Sequence, residues 1–540
     1  MKDMKSFYTG TILVAGIVFC LCLIGQKIGN ILFNNFDNIA PVTETSMGSF
    51  LAAQHALYVN DFDTAEKLLK PVNVNINVVK RTKILTDFLN GKLPDDIDSL
   101  KKSKELSDRL IYDVHLIRKN DWKNIYNRHG KDTSVFLIPL RVFSAVNQGK
   151  TKEALKYINS LDTHDSWKAF LRGQIAVLNK DIDGAAKEFA NVHPDFMNVN
   201  DYLYLMSFYK ENNMFEDMDI LRYDFLSKPG SMYIVDNEEY IPDWSNYDGY
   251  ANAVAFSIVQ NISHTKIMIF TDFSLLMLKF ADAITQNANT DAINYYLGQY
   301  YFFNTGDYEK SFNAISRQHP LYLFGKMKIA EKTGDLERLK QIAKENPLFL
   351  PAVKVVVANE IKNGNKRAAL RYINRALRQK NLNDDGRVLF LKHRANIYLL
   401  FGSPRKAQRD LDAVKKIDDR MVADFMLLQA RTWAAQNKNL SMAYDYAMSL
   451  VKRNTSDVTA WDILGVIVEK REGTEEGIEV LERVGEISVS VSSLYEHLGD
   501  MYKKQGKKDL AEKAYLRALD LSDDGLVVVP YVEKKLRKLQ

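Results

Sequence analysis

The side chains able to do acid–base or metal chemistry are spread through this sequence without forming a recognisable set. The four histidines between residues 115 and 193 stand apart, with no His-x-x-x-His spacing and no thiolate partner, so they do not predict a metal site. Acidic pairs such as Asp95-Asp96 and Asp523-Asp524 mostly precede predicted helices. Carboxylates there accept hydrogen bonds from free backbone N–H groups, so helix capping explains these pairs better than acid–base catalysis.

Nucleophile and phosphate-binding motifs are also missing from the sequence. The only cysteines are Cys20 and Cys22, and there is no Gly-x-Gly-x-x-Gly, no complete Gly-x-x-x-x-Gly-Lys-Ser/Thr and no Gly-x-Ser-x-Gly motif. The sequence therefore predicts a protein that is not an enzyme, needs no cofactor or metal, and has no evident small-molecule substrate.

The elements that carry these side chains are predicted to be helices. The 540 residues are too many for one compact core, which leaves several domains or a repeat array. Only 12 prolines and 26 glycines are present, too few for a protein built from short strands and turns.

The 73 basic and 68 acidic residues are interleaved and give a net charge of +5, which does not favour a nucleic-acid partner.

An apolar segment near the N-terminus predicts a membrane anchor. Residues 6–26 carry no charge, and residues 7–25 are expected to cross the bilayer as one helix, within an anchor assigned to residues 1–29. Lys2 and Lys5 precede this segment, which places the N-terminus in the cytoplasm and the body outside it, in the periplasm if the source is bacterial. The alternative is a signal peptide that is cleaved, leaving a secreted body.

A 34-residue repeat is visible in the C-terminal third. Leu464-Gly465 and Leu498-Gly499 are 34 residues apart. Each is preceded by an aromatic residue at the same spacing, and small residues recur in the segments that follow. The residues that carry this signature are Trp461, Leu464, Gly465, Tyr495, Leu498, Gly499, Tyr502, Ala511 and Tyr515, with the small positions continuing backward through Gly477, Ala443, Ala407 and Ala368.

This signature resembles the tetratricopeptide repeat, and the chain as a whole resembles bacterial membrane-anchored envelope proteins of that type. The resemblance implies an all-α, right-handed superhelical solenoid of helical hairpins after one N-terminal transmembrane helix. The expected divisions are a linker at 30–48, degenerate hairpins at 49–228, an irregular insertion or hinge at 229–250, the main solenoid at 251–521 and a polar capping helix at 522–540.

The resemblance also implies which side chains face a partner-binding groove. Matching the family's groove positions onto this sequence gives an acidic set in the last two hairpins and a less acidic set before them. The alternative explanation for the same residues is plain solvent exposure without a partner. The expected groove residues are Asp462, Glu469, Glu496, Asp500 and Lys503, together with Lys392 and Asn396.

The function implied is that of a membrane-tethered scaffold or adaptor that binds peptide or helix segments of other proteins, in envelope assembly or quality control. An organelle import or chaperone receptor facing the cytosol is a second hypothesis. His393 stands where such receptors need an asparagine for binding a carboxylate, which counts against it. A regulator of envelope lipid synthesis is a third, although the cysteine-rich module of such a protein is absent here.

Overall fold

The computed structural model describes residues 46–73, 76–226, 240–265, 271–285, 290–304, 306–420, 422–487 and 491–539. The predicted anchor at 1–29, including the expected membrane span at 7–25, lies outside these residues. Among the helices that are described, none is both long enough and apolar enough to span a bilayer. The membrane anchor therefore stays a prediction.

Every regular element in the described ranges is a helix, which confirms the predicted all-α class. The chain divides into two compact units. One comprises Met1–His115 and Asn304–Asp307, and the other comprises Leu116–Phe303 and Tyr308–Gln540. Helix α4 crosses the division. The first helices are α1 Ser46–Tyr58, α2 Phe62–Leu69, α3 Asn77–Leu89 and α4 Leu106–Arg118, with a 3-10 turn at Ile97–Leu100.

The start of α1 corrects the predicted linker. Residues 30–48 were expected to be a linker because the helical apolar pattern begins at Ser49, but α1 already begins at Ser46. Ser49 and Ala53 are both buried on the packed side of α1. The helix therefore begins about one turn before Ser49.

The second unit consists mostly of paired helices joined by short turns, and most of these helices pack on the next one. Its first half contains α5 Trp122–His129, α6 Ile138–Asn147, α7 Thr151–Asn159, α8 Asp165–Leu178, α9 Ile182–Phe189, α10 Val199–Glu211, α11 Phe215–Leu226, α12 Tyr250–His264, α13 Asp272–Ile284, α14 Asp291–Phe303 and α15 Tyr308–Asn313. Its second half contains α16 Leu321–Thr333, α17 Leu336–Glu345, α18 Leu350–Lys362, α19 Lys366–Leu377, α20 Asp384–Leu400, α21 Pro404–Ile417, α22 Ala423–Gln436, α23 Leu440–Arg453, α24 Val458–Arg471, α25 Thr474–Ile487, α26 Ser492–Lys504, α27 Lys508–Asp520 and α28 Val529–Arg537.

A recurring turn closes several hairpins. Just after the end of the first helix comes a residue with positive φ, such as Asn120 (58°) or Gly334 (68°). An aspartate follows it directly. In two of these turns, Asp121 accepts a hydrogen bond from the backbone N–H of Asn124, and Asp335 accepts one from Arg338. Left-handed backbone reverses the chain, and the carboxylate caps the next helix, so two adjacent residues determine each turn.

Close contact between a small residue on the first helix and a large one on the second holds each hairpin together. A Cβ atom added at Gly465 would lie 2.3 Å from Cδ2 of Leu481, and one at Gly499 would lie 2.5 Å from the ring of Tyr515. Gly173 faces Phe189 in the same way. Leu464, Leu498, Tyr502, Ala511 and Tyr515 are buried, whereas Trp461 and Tyr495 are partly exposed.

One small position of the predicted register is corrected. Ala368 was expected to be the small residue of α19, but Ala369 is the fully buried one and Ala368 is partly exposed. Ala369 is the fourth residue of α19, the same place that Ala407 takes in α21 and Ala443 in α23, so the expected residue was one position too early. The fully buried Ala407 and Ala443 hold the expected positions.

Two contacts join helices that are distant in sequence. Helix α12 packs on α6 and α8, where Ser257 Oγ donates a hydrogen bond to Gln174 Oε1 over 2.9 Å. The C-terminal segment, residues 522–539, packs both on α27 and on α18. A simple repeat array in which each hairpin contacts only its neighbours does not contain such contacts.

The C-terminal helix is more deeply packed than the predicted polar cap. Val527 and Val532 are fully buried, and Val528 is nearly so. The other predicted special segment, 229–250, falls largely on residues outside the described ranges. Its described part contains a 3-10 turn at Trp244–Asn246, and helix α12 starts at Tyr250.

Candidate partner-binding face

The first helices of four consecutive hairpins, α20, α22, α24 and α26, pack on one another in turn. All the predicted groove residues lie on three of these helices, α20, α24 and α26. We call the side of the four helices on which these residues lie the first-helix face. The geometry of this face decides what the predicted groove residues can do.

Asp462 is at the centre of the first-helix face and is 1% exposed. Its Oδ2 accepts a hydrogen bond from Ser493 Oγ over 2.6 Å, and its Oδ1 lies 2.7 Å from His497 Nδ1. Both partners are on the next helix, α26. This carboxylate therefore links two hairpins and is not open to solvent.

The charges around Asp462 shift the pKa values of both members of the pair. Burial opposes ionisation of the Asp462 carboxyl, but His497, Ser493 and Arg431 outweigh it and lower the pKa of Asp462. Burial disfavours the charged imidazole, but the Asp462 carboxylate outweighs it and raises the pKa of His497. The ion pair is thus favoured over its neutral form.

The other predicted acidic residues are also paired with neighbouring helices. Glu469 pairs with Lys504 of α26. Lys535 of the C-terminal helix donates hydrogen bonds of 2.8 Å to both Glu496 and Asp500. Tyr515 Oη donates a further bond of 2.7 Å to Asp500.

The two predicted residues of the earlier hairpin follow the same rule. Lys392 Nζ donates to Asp424 Oδ2 on α22 over 2.6 Å. Asn396 Oδ1 accepts a hydrogen bond of 3.1 Å from Arg431, also on α22. Next to them, burial and the nearby lysines lower the pKa of His393 to about 4, so its imidazole is neutral at physiological pH.

These contacts correct the picture of an open acidic groove. Asp462, Glu469, Glu496 and Asp500 are each paired with a side chain of a later helix, and the side chains of Glu469 and Glu496 are only 9% and 18% exposed. Lys503 is exposed. The first-helix face is therefore a polar ladder, in which side chains of one hairpin hold the next. Whether any of these residues binds a partner stays a prediction.

Sequence reasoning missed the residues that complete this ladder, namely Arg431, His497 and Lys535. His497 lies 35 residues after Asp462, and Arg431 lies 35 residues after Asn396. Both separations are close to one repeat length. Equivalent positions of adjacent repeats lie side by side. The sequence signal for these pairs was therefore two polar residues on successive first helices, about one repeat length apart.

The part of the chain that the structure describes also contains a small pocket of about 40 Å³, lined in part by Asn252, Tyr247 and His319. Burial lowers the pKa of His319 to about 3, and its Nδ1 accepts a hydrogen bond from the Leu321 backbone N–H, so the neutral ring carries its proton on Nε2. The described lining has no carboxylate or thiol. Among described residues, no group of three or more histidine, cysteine or acidic side chains could hold a metal ion.

Comparison with known proteins finds likeness only among solved structures. A tetratricopeptide repeat protein from Parabacteroides merdae superposes on 46% of this chain and 98% of its own, with 16% identity and a TM-score of 0.35. The structure of MamA matches 31% of this chain over 93% of its own length, with 21% identity and a TM-score of 0.21. A chain of the APC/C hetero-tetramer Cut9-Hcn1 matches 98% of this chain over 94% of its own length, with 14% identity and a TM-score of 0.31. At these values the assignment to tetratricopeptide-type hairpins rests on the packing described above.

No family model matches the sequence, and no curated protein matches it.

Proposed function

Because the described chain is a tetratricopeptide-like array of helical hairpins, we propose that it is a non-catalytic scaffold that binds segments of other proteins. The observation that carries this proposal is the polar ladder of the first-helix face. It runs through four consecutive hairpins and holds their first helices side by side, so that they form one continuous surface. Such an array suits an extended peptide or a helix of a partner.

The proposed scaffold is tethered to a membrane through residues 7–25, with its body outside the cytoplasm, and acts in envelope assembly or quality control. The uncharged N-terminal segment and the lysines before it support this placement.

Site-specific photo-crosslinking in intact cells tests the binding face. A crosslinking residue replaces Lys503 or the partly exposed Val466, both on the first-helix face, and in a matched control it replaces Lys415, which is exposed on the second helix α21. We expect one protein to be captured from both first-helix positions and not from Lys415. Capture from Lys415 alone, or the same set of proteins from all three positions, would contradict the proposed face.

A further inference from the structure

A row of arginines lies along one side of helix α19. Residues 361–383 contain seven basic and no acidic residues. Arg367, Arg371, Arg375 and Arg378 are exposed, and their spacing of four, four and three residues places them on one face of the helix. Within the described residues, none of the four lies within ion-pair distance of a carboxylate. The even mixture of charges over the whole sequence conceals this basic row.

A row of the opposite sign lies on helix α25 of the same unit. Residues 472–486 contain six acidic residues and one basic residue, Arg483. Glu475, Glu479, Glu482 and Glu486 are exposed, and their spacing of four, three and four residues again gives a single face. Glu479 pairs with Arg483 and Glu482 accepts a hydrogen bond from Tyr502, which leaves the row with a clear negative excess.

The two rows match in length as well as in sign. Each row runs over twelve residues, or eleven helical steps, which corresponds to about 16 Å. Both α19 and α25 are second helices of their hairpins, so neither row belongs to the first-helix face. No described ion pair joins the two helices within one molecule. The charge that would complement each row is present on a second copy of the chain.

We propose that this protein associates with itself through these rows, the arginines of α19 on one copy facing the glutamates of α25 on another. The surfaces are charged and exposed, so the contact is governed by charge complementarity and is weak, reversible and sensitive to salt. This association is separate from partner binding at the first-helix face.

Charge reversal tests the proposal on the full-length chain, kept in a mild nonionic detergent so that residues 7–25 cannot drive aggregation. The basic-row variant is Arg371→Glu with Arg375→Glu, and the acidic-row variant is Glu475→Lys with Glu479→Lys. The matched control is Lys152→Glu with Lys156→Glu on α7, where two exposed lysines have the same spacing. Sedimentation velocity at about 20 mM and about 500 mM salt measures assembly.

The parent and the control are expected to associate at low salt and to dissociate at high salt. Each row variant alone should associate at least about tenfold more weakly, because two attractive contacts become repulsive. An equimolar mixture of the two row variants should associate again, since each then meets the charge it lacks. Circular dichroism checks that every variant stays helical.

A parent chain that remains monomeric at low salt would overturn the proposal, as would row variants that associate like the parent or a mixture that does not recover. If the parent instead binds anionic vesicles or nucleic acid through α19 without self-association, the row serves another polyanion and the proposal is wrong.

Discussion

At the scale of single residues, close packing within a hairpin explains why glycine occupies the repeat position of α26. The structure leaves no room for a methyl group between Gly499 and the ring of Tyr515, and the ring is fully buried and hydrogen-bonded to Asp500. A side chain at this position must push two helices apart.

Replacing Gly499 by alanine is expected to lower the free energy of unfolding by about 1–3 kcal/mol despite alanine's higher helix propensity. The matched control is Gly485→Ala in helix α25, where the nearest atom to an added Cβ would be the Tyr495 hydroxyl at 3.6 Å, an ordinary van der Waals distance. That change should be neutral or stabilising. Urea unfolding followed by circular dichroism measures both, and equal stabilities for the two variants would show that the predicted packing is wrong.

The pair formed by Asp462 and His497 predicts a specific pH dependence. The pKa of His497 is raised in the folded state, so its contribution to stability is fully present below about pH 6.5 and is lost as the pH rises through the folded value. The pKa of Asp462 is lowered, so its contribution is present above about pH 4 and is lost as the pH falls.

A double-mutant cycle with His497→Gln and Asp462→Asn should therefore give a coupling free energy that is largest between about pH 4 and 6.5 and falls at alkaline pH. Either single change should cost about 3 kcal/mol near pH 6, since it leaves a buried polar partner unsatisfied. Unfolding curves at several pH values provide the measurement. A coupling free energy that does not change with pH would mean that the pair is not ionised.

At the scale of elements, the C-terminal segment ties together two distant parts of the second unit. Near its start, Asp523 pairs with Lys362 of α18, and Gly525 lies against Ala358. Tyr531 packs edge-on against Phe401, and Lys535 bonds to Glu496 and Asp500 on α26. A terminal helix that only covered the last hairpin would not make the first three contacts.

Replacing Lys535 by alanine should consequently weaken protection at both ends of this connection. We expect a loss of about 1–3 kcal/mol, because two carboxylates lose their cation. Hydrogen exchange should become faster in α26 and also in α18, far away in the sequence. The neighbouring Lys534→Ala, at an exposed position of the same helix, should change stability by about 0.5 kcal/mol or less. Faster exchange confined to α28 would contradict the proposed connection.

At the scale of the whole molecule, the membrane anchor is the expectation with the greatest consequence for function. The structure gives a practical fusion point, because α1 begins at Ser46. A reporter enzyme that is active only outside the cytoplasm, joined after Thr45, should be active and should sediment with membranes.

The matched fusion replaces two apolar residues of the segment, Leu13→Lys with Val18→Lys, which should prevent insertion because each charge in the bilayer core costs about 3 kcal/mol. That fusion should be inactive and soluble. An active, shortened and soluble product from the parent fusion would instead establish a cleaved signal peptide, and activity of a cytoplasmic reporter would reverse the topology.

The sequence alone determined the parts of the fold that depend on local spacing. The low proline and glycine content, the 34-residue separation of Gly465 and Gly499 and the recurring small residues were sufficient to predict helical hairpins of the tetratricopeptide type. These features involve residues within one hairpin or adjacent hairpins, where helix geometry and steric contact between small and large side chains leave few alternatives.

The tertiary structure alone decided what the predicted groove residues contact. Asp462, Glu496 and Asp500 lie on first helices, but the residues with which they pair, His497 and Lys535, depend on how the hairpins stack. The return of the C-terminal segment to α18, more than 160 residues earlier, depends on the small rotation of each hairpin relative to the last. Such rotations accumulate over many repeats, and no local pattern in the sequence records their sum.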